Sequence, residues 1–248
     1  MFTPKTRDIR LAAEKSPDKI KRLESLLSEQ TVVYVDFGNV SGWSKRLGWQ
    51  IDLRRLKDFL DSFSIIEVRF YFGTTPDHDG SARFMTFVHK TGYKVRTKPV
   101  KTIQVSIDVS SISEKSPDIL NNFIKDQLLE QLKLETIEYL NAELRLLNKA
   151  GMFHIEIRKC NFDVEIATDM RVDCITGKAQ AFCLWSGDSD FADTLKTLLA
   201  EKKKVGVFGT ARVIASELNE LRSNGLQIFD VRKLREFLEK PPKAKETP

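Results

Sequence analysis

The sequence is short of the residues that announce most chemistries. Its three cysteines, Cys160, Cys174 and Cys183, are odd in number and match neither a disulfide framework nor a paired C-x-x-C zinc site, so they read as buried thiols in a reducing compartment. The three histidines, His78, His89 and His154, stand apart from the acidic motifs, and no nucleophile, base and orienting group favours acyl transfer. No apolar run approaches the roughly 18 residues of a membrane helix, and mean hydropathy is −0.30; a membrane span is excluded. The opening Met1-Phe2-Thr3-Pro4-Lys5 lacks the basic-then-apolar layout of a signal peptide, and the expected location is cytoplasmic. Charge of one sign is scarce too. Forty Lys+Arg against 35 Asp+Glu leave +5, which leans towards a polyanionic partner without compelling one.

What is present is a chain of 248 residues, 41% of them hydrophobic, enough for one large or two small domains with a real core. Residues 1–30 are polar and read as an N-terminal helical appendage, with Ser16-Pro17-Asp18 supplying a helix start. From Thr31 short apolar runs alternate with helical patterns. Thr31 to Val35 reads as a strand buried on both faces. Asp52 caps a helix whose Leu53, Leu56, Phe59, Leu60 and Phe63 share a stripe, and Ile65 to Phe72 reads as the next strand. A helix around Ala82 to Lys90 ends at Gly92 before a basic strand, Tyr93 to Val100. The alternation predicts an α/β fold with a mainly parallel sheet.

Residues 103–157 break that rhythm and read as an insertion. Ile103 to Val109 alternates like an exposed strand, Phe153 to Ile157 is its candidate partner, and Ile137, Leu140, Leu144 and Leu147 mark amphipathic helix between them. A helix of ~30 residues there would reach ~45 Å if unbroken, and its apolar stripe suits packing on the parent domain or pairing with a second copy. The core rhythm then resumes through a helix from Asp163, strands at Ala181–Trp185, Val205–Phe208 and Leu226–Phe229, and helices near Phe191–Leu199 and Val213–Arg222. The core domain is thus expected over 31–239, followed by a disordered tail, 240–248.

Acidic residues sit where strands end. The first strand ends in Asp36-Phe37-Gly38-Asn39 and a later one in Ser186-Gly187-Asp188-Ser189-Asp190-Phe191. Ligands gather at the carboxyl ends of strands near the switch point of an open parallel sheet, so Asp36, Asp188 and Asp190 converge if these strands are neighbours. A third motif, Lys159 to Asp169, enters a helix; at ~100° per residue Asp163 and Asp169 lie about 120° apart, leaving Asp163 as the better ligand and Asp169 either in support or as a helix-face carboxylate. Crowded carboxylates repel unless a cation neutralises them, and oxygen-only ligation suits Mg²⁺ or Mn²⁺. Such a metal would acidify water and stabilise a leaving oxygen, with Asn39, Ser186 and Ser189 orienting waters or phosphate oxygens. Helix capping is the structural alternative for each residue taken alone.

These motifs, Val35-Asp36-Phe37-Gly38-Asn39, Lys159-Cys160-Asn161-Phe162-Asp163-Val164 with Asp169, and Ser186 to Phe191, resemble the NYN domain, a branch of the PIN-like nuclease group. The resemblance runs over Thr31–Lys101 and Arg158–Arg235 and leaves out both termini and the insertion. It implies a PIN-like three-layer sandwich around a central, mainly parallel sheet, and a magnesium- or manganese-dependent nuclease directed at RNA, single-stranded in our expectation. Carried onto this chain, its matching acids are Asp36, Asp163, Asp188 and Asp190, with Asn39 and Asp169 supporting. The departure is the long insertion, a candidate self-association surface.

Other readings fit less well. A haloacid-dehalogenase-like phosphatase needs an acid two residues after Asp36, where Gly38 stands, and Phe72-Gly73-Thr74 lacks the phosphoacceptor of a response regulator. An RNA-binding or assembly module with weak or lost nuclease activity is the alternative from another class. For the nucleic-acid backbone, Lys90, Lys94, Arg96, Lys98 and Lys101 form a basic path, and Lys159, Thr210 and Arg212 lie beside the motifs; Lys98, Lys159, Thr210 and Arg212 are the chosen contacts. Trp43, Trp49 and Phe37 could stack on a base, although packing is the commoner fate of such rings.

Overall fold

The computed structural model describes residues 1–28, 30–75, 78–210 and 214–241. The chain divides into two compact units, one made of Met1–Pro99 with Cys160–Pro248 and the other of Val100–Lys159. No helix among the described residues is long and apolar enough to cross a membrane.

The first unit is built on six strands: β1 (Thr31–Asp36), β2 (Glu67–Thr74), β3 (Lys94–Pro99), β6 (Ala181–Trp185), β7 (Lys204–Gly209) and β8 (Gln227–Asp230). They form one sheet in the order β3-β2-β1-β6-β7-β8, every neighbouring pair parallel. β1 and β6 are the middle strands, and all their residues are buried, as their nearly unbroken apolar sequences require. Alternation then divides the side chains between two cores. Val33, Val35, Trp185 and Phe208 face one side, where the helices Arg7–Glu14, Pro17–Glu24, Leu53–Leu60 and Asp79–Lys90 pack. Val32, Tyr34, Leu184 and Val207 face the other, against the helices Asp163–Ile175 and Ala192–Ala200. Helix, sheet and helix make the three layers of an α/β sandwich.

The first thirty residues are not an appendage to this unit. Ile9, Leu23, Leu26 and Leu27 are buried in the first core, and Leu26 lies over β7 so closely that a Cβ on Gly206 would meet its Cδ2 at 2.1 Å. The polar majority of these helices faces solvent and hides in the sequence the few residues that seal the sheet. Trp43, Trp185, Phe208 and Phe229 stack in a row beneath them, with centroid separations of 6.4, 4.8 and 4.8 Å. The rings considered as base-stacking platforms are therefore structural: Trp43 and Trp49 are buried, and Phe37 packs on Phe70 and Phe84, each 5.0 Å away.

The second unit pairs β4 (Lys101–Ser106) antiparallel with β5 (His154–Lys159), Ile103 opposite Ile157 and Val105 opposite Ile155. The helical stretch between them is broken. Only Leu134–Lys149 forms a long helix, preceded by short turns at Asp118–Asn122 and Asp126–Leu129. A small core of Val109, Ile119, Leu120, Leu129 and Ile137 is tied by helix side chains that satisfy loop backbone. The Asn141 amide donates to the Glu114 and Ser116 carbonyls at 2.7 Å each, and Asn148 bonds both Val109 N and Ile107 O. The insertion is thus mixed α and β rather than helical alone.

Gly206→Ala should destabilise the protein by about 1–3 kcal/mol through overpacking against Leu26. In a denaturant-unfolding cycle the Leu26→Ala change should cost less in the Gly206→Ala background than in the wild type; strict additivity would refute the contact.

Candidate metal centre

The chain leaves β1 towards β2 on one side, while β6 leads to β7 on the other, so the β1/β6 boundary is the switch point of the sheet. The pairing of Val35 with Trp185 sets the next residues, Asp36 and Ser186, side by side at the carboxyl ends. Asp36 is 8% exposed and caps the Phe37–Ser41 helix: the Asn39 N–H donates to its Oδ1 at 3.3 Å and the Ser186 hydroxyl to its Oδ2 at 3.2 Å. Asn39 joins the two strand ends, its Oδ1 accepting from Trp43 Nε1 at 2.8 Å and Gly187 N at 3.4 Å.

The other acids arrive from two loops. The Asp188 N–H donates to Ser186 Oγ (3.4 Å), and Asp188 Oδ1 accepts from the Asp190 N–H (3.2 Å), which closes the turn Ser189–Phe191. Ser189 opens this turn and offers its carbonyl to the backbone of Ala192. Asp163 begins the helix Asp163–Ile175, its N–H held by Asn161 Oδ1 at 2.8 Å, while the preceding Phe162 is buried against Tyr71. Asp163, Asp188 and Asp190 each present an oxygen within 4.8 Å of the others. Asp36 is not in that trio but lies near enough that Asp163 and Asp188 act on its charge.

Burial pushes the Asp36 carboxyl up to about 6, against the lowering pull of its two hydrogen bonds, and the charges of Asp163 and Asp188 push it further. Asp163 is raised for the same first reason, burial, and then by Asp188 and Asp190. Among the described residues no Lys or Arg forms an ion pair with any of the four. Unpaired oxygen donors without histidine or thiolate fit a hard divalent cation such as Mg²⁺ or Mn²⁺.

Asp169 lies outside the acidic trio and has basic and phenolic partners. Its oxygens accept from Tyr71 OH at 2.7 Å, pair with Arg96, and face Arg69 Nη1 at 3.5 Å. Burial would raise its pKa, yet the bonds from Arg96 and Tyr71 outweigh it and hold the carboxyl low. One turn further, buried Asp173 pairs with Arg69 at 2.7 Å and accepts from Tyr34 OH at 2.5 Å. Arg69 also bonds Glu67 at 2.6 Å; burial would raise Glu67, but Lys178, Arg69 and Lys94 hold it at about 2. This clamp docks the Asp163–Ile175 helix on the sheet. Its sequence signal is an arginine inside the apolar run Val68-Arg69-Phe70-Tyr71-Phe72, opposite acids spaced by one helical turn.

The expected backbone contacts divide. Lys98 is committed to Glu165 at 2.6 Å and lies over the Phe162 ring, and Arg96 pairs with Asp169, because β3 runs beside the acidic face of the helix; Lys94 pairs instead with Glu67 at the start of the neighbouring β2. Thr210, just after β7, is buried with a hydroxyl that has no partner among the described residues. Lys159 ends β5 and belongs to the second unit, while Arg212 lies outside the described residues. The three cysteines are free thiols, and Cys174 and Cys183 are buried.

Three carboxylates close together near the switch point of a three-layer α/β fold form a candidate cation site. The family model of the NYN domain matches residues 112–225, the family that the motifs resemble and one within the PIN-like nuclease group. The match takes in Asp163, Asp188 and Asp190 and much of the insertion, and does not extend to Asp36. Curated proteins give no match. A solved structure of a protein of unknown function from Vibrio parahaemolyticus is similar at a TM-score of 0.49 and 16% identity, covering 84% of this chain and 94% of that one.

Two stability measurements separate the roles. The raised Asp36 pKa imposes a cost on folding that is absent below about 4, grows as pH rises to about 6, and is full above it, on the order of 2–3 kcal/mol. Asp36→Asn should therefore be more stable than wild type at pH 7.5 in chelator, with the gap closing near pH 4. Asp169→Asn should instead lose about 1–3 kcal/mol, while the rise in Tm on adding Mn²⁺ survives; Asp188→Asn should lose that rise.

Proposed function

We propose that the protein is a metal-dependent ribonuclease that hydrolyses phosphodiester bonds of single-stranded RNA. The observation that carries this reading is the meeting of Asp163, Asp188 and Asp190 at one point, unpaired, near buried Asp36. Asp163, Asp188 and Asp190 would hold Mg²⁺ or Mn²⁺, with Asp36 nearby. Such an ion supplies Lewis acidity, lowering the pKa of water and offsetting charge that develops on the phosphate.

The chain's own groups prepare the site. Ser186 and the Asn39 backbone fix both oxygens of Asp36, so its carboxylate does not reorganise during the reaction. Asp188 is held through one oxygen by the Asp190 N–H, which leaves the other for a ligand. The Arg69 clamp acts at a distance by fixing the helix whose first residue is Asp163. The buried, unpartnered Thr210 hydroxyl at the same end of the sheet suits a phosphate oxygen. No nucleophilic side chain is required, and hydrolysis proceeds by direct attack of water. The NYN match supports a nuclease; three free thiols accord with a cytoplasmic setting, and exposed Leu128, Leu134 and Tyr139 of the second unit suit self-association.

Purified protein should cleave single-stranded RNA with Mn²⁺ or Mg²⁺, and Asp163→Asn or Asp188→Asn should reduce the rate by at least about a hundredfold, comparable to losing a principal charge-stabilising group. Cleavage that persists in excess chelator or in both variants would sink the assignment. A folded wild type that binds RNA without cutting it would favour the RNA-binding module.

A further inference from the structure

The open edge of the sheet holds a second candidate site. Beside β8, Lys19 and Arg22 of the Pro17–Glu24 helix, Arg222 beyond the Ser216–Glu220 helix and Lys233 after β8 line one cavity of about 370 Å³. The volume lies in the range of small-ligand sites. The floor is apolar, formed by Leu23, Ile228 and Phe229. Asp230 is the only carboxylate among the lining residues, and it is already neutralised by Arg232 at 2.6 Å.

The cations divide into two kinds. Lys19 pairs with Glu236 at 2.8 Å, and Arg22 is spent on structure, donating to the Ile228 carbonyl at 3.2 Å with its guanidinium 4.8 Å above the Phe229 ring. That contact covers the exposed edge of β8, an ordinary protection for an edge strand. Arg222 and Lys233 form no side-chain hydrogen bond or ion pair among the described residues, although they come from separate elements to the same cavity; Lys233 acts on Asp230 only as a nearby charge. Asn219 adds an amide whose nitrogen is committed to Ala215 and whose oxygen is free to accept.

We propose that this cavity is a phosphate-binding site distinct from the acidic centre, taking the phosphate of a nucleotide between Arg222 and Lys233 and its base or sugar on the apolar floor. Two cations from different directions suit an anion with several oxygens, and guanidinium in particular can bind phosphate through two parallel bonds. The position supports a nucleotide. Carboxyl ends follow one another along the sheet from Asp36 to the ends of β6, β7 and β8, so Asp230 at the rim is three strand spacings, roughly 14 Å, from Asp36. An RNA strand lying along that edge brings one of its phosphates to the cavity; a free nucleotide is the other source of the same group. The RNA source rests on the proposed nuclease function, whereas the phosphate site itself does not.

Binding to the full chain in excess chelator tests this apart from cleavage, with adenosine 5′-monophosphate, adenosine and a labelled single-stranded oligoribonucleotide as probes. Wild type and Asp188→Asn should bind the monophosphate or the oligonucleotide alike, and Arg222→Glu/Lys233→Glu should weaken that binding by at least about tenfold, with an unchanged Tm. Arg222→Gln/Lys233→Gln provides the same test without charge reversal. Loss of monophosphate binding assigns a free nucleotide, and loss of oligonucleotide binding alone assigns a phosphate of the strand. Wild-type binding of neither probe, affinity unchanged in both double variants, or adenosine binding as tightly as its monophosphate would overturn the site. RNA cleavage that fails while monophosphate binding is retained would overturn only the nuclease reading.

Discussion

Asp36 is a buried carboxylate held near the charges of Asp163 and Asp188, with no basic side chain among the described residues paired to it, and much of the first unit is organised around it. An isolated carboxylate in such a place would protonate or be driven out, because desolvation and like charge act in the same direction. Here the backbone opposes both. Parallel pairing of β1 with β6 puts Asp36 against Ser186, the cap of the next helix fixes one oxygen, and Asn39 ties the two loops together. The cost is a negative field that a divalent cation would offset.

The Asp163–Ile175 helix shows how pairing separates structure from chemistry within one element. Asp163, at its start, has carboxylates for neighbours and a raised pKa. Asp169 and Asp173 face Arg69, Arg96 and the hydroxyls of Tyr71 and Tyr34, and the Asp169 pKa is lowered. The residues are chemically alike; their partners differ. A half-buried aspartate whose oxygens are all occupied anchors a helix, while one left unpaired among acids can bind a cation. The tyrosines pay the complementary electrostatic penalty, since burial and a neighbouring carboxylate both raise their phenol pKa values and keep them as donors.

The same distinction reorganises the basic residues. Lys94, Arg96 and Lys98 read as a path for phosphates, but each closes an ion pair with a carboxylate within the first unit. Arg222 and Lys233 form no such ion pair among the described residues and share a cavity. A formal charge of +5 says little about where positive charge is free, because side-chain pairing decides that.

Local pattern is enough to establish the parallel α/β core, the presence but not the ends of the insertion's two strands, and the acids at the ends of β1 and β6, because buried strands need apolar runs and chain breaks need turn and cap residues. Asp163 was legible from the same periodicity, since a helix start after a strand sets its direction. The partners of Asp169 and Lys98 and the burial of the N-terminal helices are not legible in the sequence for one reason: each depends on what stands opposite, and that is brought there from a distant part of the chain. Leu26 is separated from Gly206, and Arg69 from Asp173, by long stretches of sequence, so neither contact leaves a local pattern. Residue type and spacing determined which groups could bind a cation or seal a core; only tertiary structure decided which remained unpaired, because charge is cancelled through space rather than along the chain.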